Sequence, residues 1–356
     1  ARQLQLSRTW SVCAGLLFLV TPIVVAQLNT VYVDVMAVAP LFVAFGFLAA
    51  AVATGRRDPG FVARLTVAGC GLGLAVGTKT SNLIFLAPAA VLVLWAYLAP
   101  VVRASREREP QRVDLQGGLL GLLGFGMPIL LLAGVWFLRT WVEYGNPLHP
   151  FDVSFGPVQV GHGTTTVPQI IDNQMPAELA TERGAARAVE SWLAEPEDFY
   201  GYDQRLGGLG LTFTFLMLPA LLLGARAMWS RSKVFVLAFV LPLTLVLLYQ
   251  PAVWWSRYTL WLVAPGAIAL VFFASICRTR GGRAVVSSTI ILAVLVSGWL
   301  SLAKTSLDGE RATLGDTLSV AFGAGPENEA GETVFEAPFE GARELPDGAV
   351  VGVVED

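Results

Sequence analysis

Apolar residues in this chain gather into blocks instead of alternating with polar ones. Nine blocks stand at 10–27, 34–55, 61–77, 83–102, 117–138, 209–226, 234–249, 258–276 and 285–303. Each is near the length of helix needed to cross ~30 Å of hydrocarbon. The pattern predicts an all-α polytopic membrane protein with about nine transmembrane helices in a domain spanning 1–303, followed by a hydrophilic tail at 304–356. Blocks 61–77 and 234–249 are short, and the first can form half of a re-entrant pair with 83–102. The hydrophilic stretch 140–208 interrupts the series. Within it Ala185, Val189, Trp192 and Leu193 recur at helical spacing, which predicts a helix lying apolar side down on the membrane surface. The tail is rich in Gly, Glu and Asp, and its run 349–354 reads as one buried strand. A lone strand needs a partner, either elsewhere in the chain or beyond Asp356.

Composition agrees with the blocks. Of 356 residues 54% are hydrophobic and 14% charged, against about 25% charged in ordinary soluble domains. Charge then orients the spans. One set of block ends carries Arg2, Arg8, Arg56, Arg57, Arg103, Arg106, Arg108, Arg112, Arg226, Arg231, Lys233, Arg278, Arg280 and Arg283. The alternate set carries only Lys79, Arg139 and Arg257 near the helix ends. Cations collect on the cytoplasmic side, so the amino end is expected inside, with 140–208 and the tail outside, in a bacterial plasma membrane. Trp136, Trp141, Trp254, Trp255, Trp261 and Trp299 fall near outer block ends, where an interfacial belt is expected, with Trp10 and Trp229 inside. Cys13, Cys70 and Cys277 all lie in or beside apolar blocks, so no disulfide framework is drawn.

The three cations that break the orientation rule are the informative ones. Charge at that depth marks a functional site by default. Three cations on one face suggest a bound anion, and a lipid phosphate carries its charge at this level. Gly77-Thr78-Lys79-Thr80-Ser81-Asn82 precedes an apolar helix that Thr80, Ser81 or Asn82 can cap, which would turn free N–H groups toward that anion. Thr78 breaks the phosphate-loop spacing. Asp34, at an outer block end, reads either as a capping or salt-bridged carboxylate or as one that lines a cavity. His149 and His162 lack the spacing of a zinc site, so no metal ligand is assigned and His149 is read as a substrate contact. No ligand set for a divalent metal can be drawn.

An ordered series of segments then carries a resemblance. It runs from Thr30-Val31-Tyr32-Val33-Asp34 through Gly77-Thr78-Lys79 and Arg139-Thr140-Trp141 to Gly145-Asn146-Pro147-Leu148-His149-Pro150. Tyr202-Asp203-Gln204-Arg205-Leu206-Gly207-Gly208-Leu209-Gly210 and Ser256-Arg257-Tyr258 with Pro265 complete it. Together these resemble the bacterial glycosyltransferases of the GT-C superfamily, the clan of protein O-mannosyltransferases and aminoarabinose transferases. The resemblance implies an inverting enzyme that moves a sugar from a polyprenyl-phosphate donor to a glycan, lipid or protein acceptor at the outer face. It implies Asp34 as a catalytic acid of an outer turn. It implies Lys79, Arg139, Asn146, His149, Asp203, Arg205, Arg257 and Tyr258 as substrate-binding residues. The clan's acidic first outer loop is missing, so about two spans are expected before Ala1 and the chain as given is incomplete for catalysis. Membrane lipids are expected partners; nucleic acid is not.

The chemistry fits these residue types by itself. When a polyprenyl phosphodiester gives up its sugar, the leaving phosphate gains negative charge, and fixed cations stabilise that change more than the ground state. A lipid-linked glycan ligase, polymerase or flippase also uses outer-face arginines and is the alternative; a non-catalytic scaffold is the third class. Mid-span charges and inverted repeats of a transporter are absent from the sequence, as is a histidine-centred phosphatase motif. The orientation makes a direct expectation. Single cysteines placed in 140–208 and in 304–356 should both react with an impermeant maleimide added to intact cells, and one beside Arg106 should not; labelling of the two segments from opposite sides would mean a miscounted span.

Overall fold

The computed structural model describes residues 4–28, 32–56, 58–107, 115–155, 158–194 and 203–304. It is mostly helical. In chain order the helices are α1 (Arg8–Leu19), α2 (Pro22–Ala26), α3 (Asp34–Thr54), α4 (Phe61–Thr78), α5 (Leu86–Glu107), α6 (Leu115–Leu132) and α7 (Gly134–Tyr144). The loop region holds a two-stranded antiparallel hairpin, β1 (Val153–Phe155) and β2 (Val158–Gly161), then α8 (Val167–Gln174) and α9 (Ala185–Leu193). The bundle is completed by α10 (Gly210–Arg231), α11 (Lys233–Leu248), α12 (Leu260–Ile276) and α13 (Arg280–Lys304).

Five helical stretches are long and apolar enough to cross a membrane: α3, α4, the run Thr80–Leu98 that enters α5, α10 and α13. The count is six if the pair α6–α7, bent by 46°, forms one span. The remaining three expected spans correspond to α1, α11 and α12, which are apolar but shorter. Thr21-Pro22 ends the first run at α1 and restarts it as the short α2, because proline has no N–H to continue the ladder. In α10 and α11 a turn of π-helix, Phe213–Met217 and Val236–Val240, precedes Pro219 and Pro242. Such bulges accommodate the donor that proline lacks. The expected tail strand at 349–354, Tyr202, and the cations Arg2, Arg57, Arg108 and Arg112 lie outside the described residues.

Lipid supplies little hydrophobic drive between helices, so close packing has to hold a bundle together. The sequence does this with glycine on α4. Gly69, Gly73 and Gly77 recur at intervals of four and put one face of α4 directly on the backbone of α6. A Cβ at Gly69 would overlap the Phe125 carbonyl oxygen, and one at Gly73 would lie 2.8 Å from that of Pro128. At Gly77 it would lie 2.5 Å from the Leu132 carbonyl oxygen. On the other side Gly71 meets the Pro40 carbonyl of α3. Thus α4 is wedged between α3 and α6, and its last residue, Thr78, is held where Lys79 begins.

The loop region caps one end. Helix α9 forms where the periodicity predicts it. Ala188, Ser191 and Trp192 are buried and Trp192 packs edge-on against Phe213, while Val189 and Leu193 remain half exposed. The aromatic belt needs correction. Trp136, Trp141 and Trp299 are exposed, but Trp254, Trp255 and Trp261 are buried within protein. Trp254 and Trp255 pack with Leu179 and Ile171 of the loop region, and Trp261 packs edge-on against Phe85 and donates to the Leu243 carbonyl. The glycine seam yields a stability test. Gly69→Val should lower the unfolding temperature in detergent by the equivalent of about 1–3 kcal/mol. Gly126→Ala, where an added Cβ meets nothing within 4 Å, should leave it unchanged; equal behaviour of the two variants would mean that the seam is not tight.

Candidate anion-binding site

The site begins with a carboxylate at the start of a helix. Asp34 is the first residue of α3, where the helix dipole favours negative charge. Its side chain is 0% exposed. Burial of an unpaired carboxylate is prohibitive, and three donors answer it. Gln27 Nε2, just past α2, donates at 3.0 Å and Arg257 Nε at 3.1 Å, both to Oδ2. The Lys79 ammonium donates to Oδ1. Lys79 sits in extended backbone between α4 and the 3₁₀ turn Thr80–Phe85. That turn differs from the expected helix cap: Asn82 sends its side chain back to the Ala75 carbonyl at 2.9 Å and closes the end of α4. Its amide adds a second donor to a carbonyl that already accepts the Lys79 N–H, and the 3₁₀ turn, which starts after Lys79, has no side-chain cap.

Arg257 lies in the turn Ser256–Tyr258 and reaches a second carboxylate, Asp203 Oδ1, through Nη1 at 2.7 Å. The glycine-rich loop brings Asp203 there. Gly207, Gly208 and Gly210 all adopt positive φ, conformations that cost side-chain-bearing residues free energy. The loop is then pinned by Ser256 Oγ donating to the Gln204 carbonyl (2.9 Å) and Ser191 Oγ donating to those of Trp254 (2.6 Å) and Arg205 (3.2 Å). Arg205 Nε lies 3.5 Å from Asp203 Oδ2, and its guanidinium also donates to Gln174 on α8. The outcome is a row of alternating charge: Lys79, Asp34, Arg257, Asp203, Arg205. Among the described residues, three cations meet two carboxylates in this row, an excess of one positive charge. Aromatic rings encase the row. Lys79 Nζ stands 3.8 Å from the Tyr258 ring centre, and the Arg257 guanidinium stands 4.1 Å from that of Tyr32 and 5.5 Å from that of Trp255.

Lys79 and Tyr258 also form part of the wall of a cavity of about 290 Å³ beneath the loop cap. Its other polar lining comes from Thr80, Ser81 and Gln250, and most of the rest is aliphatic, such as Ile84, Ile170 and Ile171. A second groove of about 510 Å³, apolar but for Tyr249, runs between α5 and α11, past Pro88, Val91, Leu241 and Leu245. Ile84 lines both spaces. A further cavity of about 480 Å³ between α1, α3, α11 and α12 has no charged side chain in its lining. Burial pushes the Lys79 ammonium down to about 8, against the opposing pull of Asp34.

The other expected site residues are placed differently. Arg139 is exposed on α7 and donates to Glu143, one turn on, at 3.0 Å. The three misplaced cations therefore do not share one cluster; Lys79 and Arg257 do. Asn146 is buried, but its amide donates to the carbonyls of Phe151 (2.8 Å) and His162 (3.0 Å) and accepts from the Leu148 amide (2.9 Å). It shapes the loop backbone. His149 stacks on Tyr144 with ring centres 4.1 Å apart. Asp34 has no oxygen open to solvent, so in this geometry it holds cations and does not face an acceptor. Among the described residues no three of His, Cys, Asp and Glu converge as metal ligands do. Gln27, Gln174 and Trp255 belong to the site and were not foreseen; a polar residue closing an apolar run seven positions before Asp34 was the only signal for Gln27.

No family model, curated protein or solved structure matches the chain. The geometry itself supplies the next test. Asp34→Asn leaves Lys79 and Arg257 buried against a neutral partner, and breaking such pairs costs about 3–5 kcal/mol. The detergent-solubilised variant should unfold at a clearly lower temperature, with part of the loss recovered in Asp34→Asn/Lys79→Gln. An unshifted transition would mean that the cations do not depend on this carboxylate.

Proposed function

We propose that this chain is the membrane part of an inverting glycosyltransferase that takes its sugar from a polyprenyl-phosphate donor. The reading includes about nine spans, a cytoplasmic amino end and a site facing outward, as in the GT-C superfamily that the ordered segments resemble. The observation that carries it is Lys79, in a row whose described residues hold one more cation than carboxylate, set in the wall of an otherwise mostly apolar cavity. An anionic head on a long apolar chain is the ligand chemistry that such a wall favours. A free sugar nucleotide would instead want many polar partners, and the lining offers few. The groove between α5 and α11 adds apolar surface next to the same cavity.

In this reading the acceptor hydroxyl attacks the anomeric carbon from the face opposite the phosphate. The bond from that carbon to the phosphate oxygen breaks, its electron pair leaves with the lipid phosphate, and the hydroxyl proton passes to a base on the acceptor side. The phosphate goes from one negative charge toward two. Lys79 and Arg257 meet this growth, while Asp34 and Asp203 hold both cations in place beforehand, so little reorganisation is needed at the moment of reaction. Asp34 acts through the cations it holds. Arg139, outside the cluster, contributes at most to the loop surface.

The test uses the full-length protein in liposomes with a radiolabelled polyprenyl-phosphate sugar. Arg257→Lys keeps charge but loses the planar multi-donor fork, and turnover should fall ~100-fold or more with donor KM little changed. Lys79 is charged below about 8 and neutral above it, so donor affinity should hold up to that pH and weaken beyond it, and Lys79→Arg should flatten the profile. Lipid translocation without any glycosidic bond formed would identify a flippase instead. Transfer that is robust yet indifferent to both substitutions would remove this site from the mechanism.

A further inference from the structure

A second cationic feature lies at the far end of α12, away from Asp34. Arg278, Arg280 and Arg283 line one open concavity of about 510 Å³ together with Ala284 and Ser287. All three arginines are exposed, and among the described residues none has a carboxylate within ion-pair distance. Arg283 donates to the Cys277 carbonyl at 3.1 Å, which folds its guanidinium back over the turn between the two helices. Thr279 already caps the first turn of α13, accepting from the Gly282 amide at 3.1 Å. The concavity is therefore defined by guanidinium groups, not by free helix amides. This differs from the Asp34 site, where carboxylates balance all but one of the cations. Here three positive charges share a hollow with no counter-charge among the described residues, an arrangement that an anion relieves.

The surroundings indicate which anion. Helix α12 is apolar up to Ile276, which is 41% exposed, and Val285, one turn into α13, is 67% exposed. Helix α13 is itself long and apolar enough to cross a membrane. The arginines thus stand at the rim of apolar surface that faces lipid, the level at which headgroup phosphates lie. Ala284 and Ser287 are small and leave room for the headgroup between the side chains. Arginine offers paired N–H donors that match phosphate oxygens. A free phosphate ion would gain the charge but none of the contact with Ile276 and Val285. We propose that this concavity at the α12–α13 junction binds the phosphate headgroup of an anionic phospholipid, whose chains lie along α13. This site is independent of the glycosyltransferase reading.

Native mass spectrometry of the full chain in detergent tests it, with phosphatidylglycerol, phosphatidylcholine and inorganic phosphate added separately. The wild type should retain one phosphatidylglycerol at concentrations about tenfold or more below those needed for phosphatidylcholine. Arg278→Gln/Arg280→Gln/Arg283→Gln should lose that preference, and the corresponding triple lysine variant should keep most of it. Arg226→Gln/Arg231→Gln, which removes two cations of α10 that are not part of this concavity, should bind like the wild type. Undiminished retention by the triple glutamine variant would overturn the proposal, as would an equal loss in the α10 variant. Inorganic phosphate held as tightly as the lipid would overturn it too, by showing an ion site. A monodisperse elution profile with an unchanged unfolding temperature in the glutamine variant separates lost binding from lost folding.

Discussion

The structure turns on one buried carboxylate. Asp34 has no access to solvent, so it must be matched by charge from inside the protein, and the cations that match it come from separate parts of the chain. Lys79 fixes the end of α4, and Arg257 fixes the turn before α12. Through Arg257 the constraint passes to Asp203 and from there to Arg205 and α8. A buried ion pair is weak evidence for stability when set against a well-packed apolar alternative. Its value here is geometric: five charged groups have few arrangements that leave none of the buried ones uncompensated, and the loop cap has to close in one of them.

The packing beneath that cluster works by the opposite means. Along α4 register against α6 is specified mainly by the absence of side chains at Gly69, Gly73 and Gly77, which lets backbone meet backbone. Steric fit places the rod, and charge fixes its tip. Lys79 follows α4 directly, so movement along the seam would displace the ammonium from Asp34. The cavity wall is in this way coupled to contacts more than two helical turns away.

Much of the bundle was legible in hydropathy. The block at 34–55 became α3 and that at 61–77 became α4, because sustained apolar runs with few polar interruptions have only helix as a way to satisfy their backbone in lipid. The amphipathic helix at 185–193 was legible from spacing. Lys79 and Arg257 stood out as cations beside apolar blocks, and they are indeed at the cluster. Arg139 sent the same signal and is elsewhere. The bend between α6 and α7 and the nearby Glu143 decide its surroundings, and hydropathy reports neither. Asn146 and the tryptophans at 254, 255 and 261 were misplaced for a related reason: sequence reveals that a residue is polar or aromatic, but whether it faces the membrane boundary or the underside of a loop depends on how distant segments close. The shortness of α1 follows from the break at Thr21-Pro22 within a run that looked continuous, whereas α11 and α12 fill nearly the whole of their blocks, that of α11 being short to begin with.

The order of the charges along the chain bears on how such a protein is made. Asp34 and Lys79 lie at the same end of one helical hairpin, α3–α4, and pair with each other. That hairpin is complete long before Arg257 leaves the ribosome, so the carboxylate has a partner of opposite sign while the rest of the bundle is still unsynthesised. Arg257 and Asp203 then come as a second, mutually neutralising pair from later in the chain. At each stage of insertion the buried increment of charge is balanced, and the translocation machinery never has to deliver a lone ion to this depth.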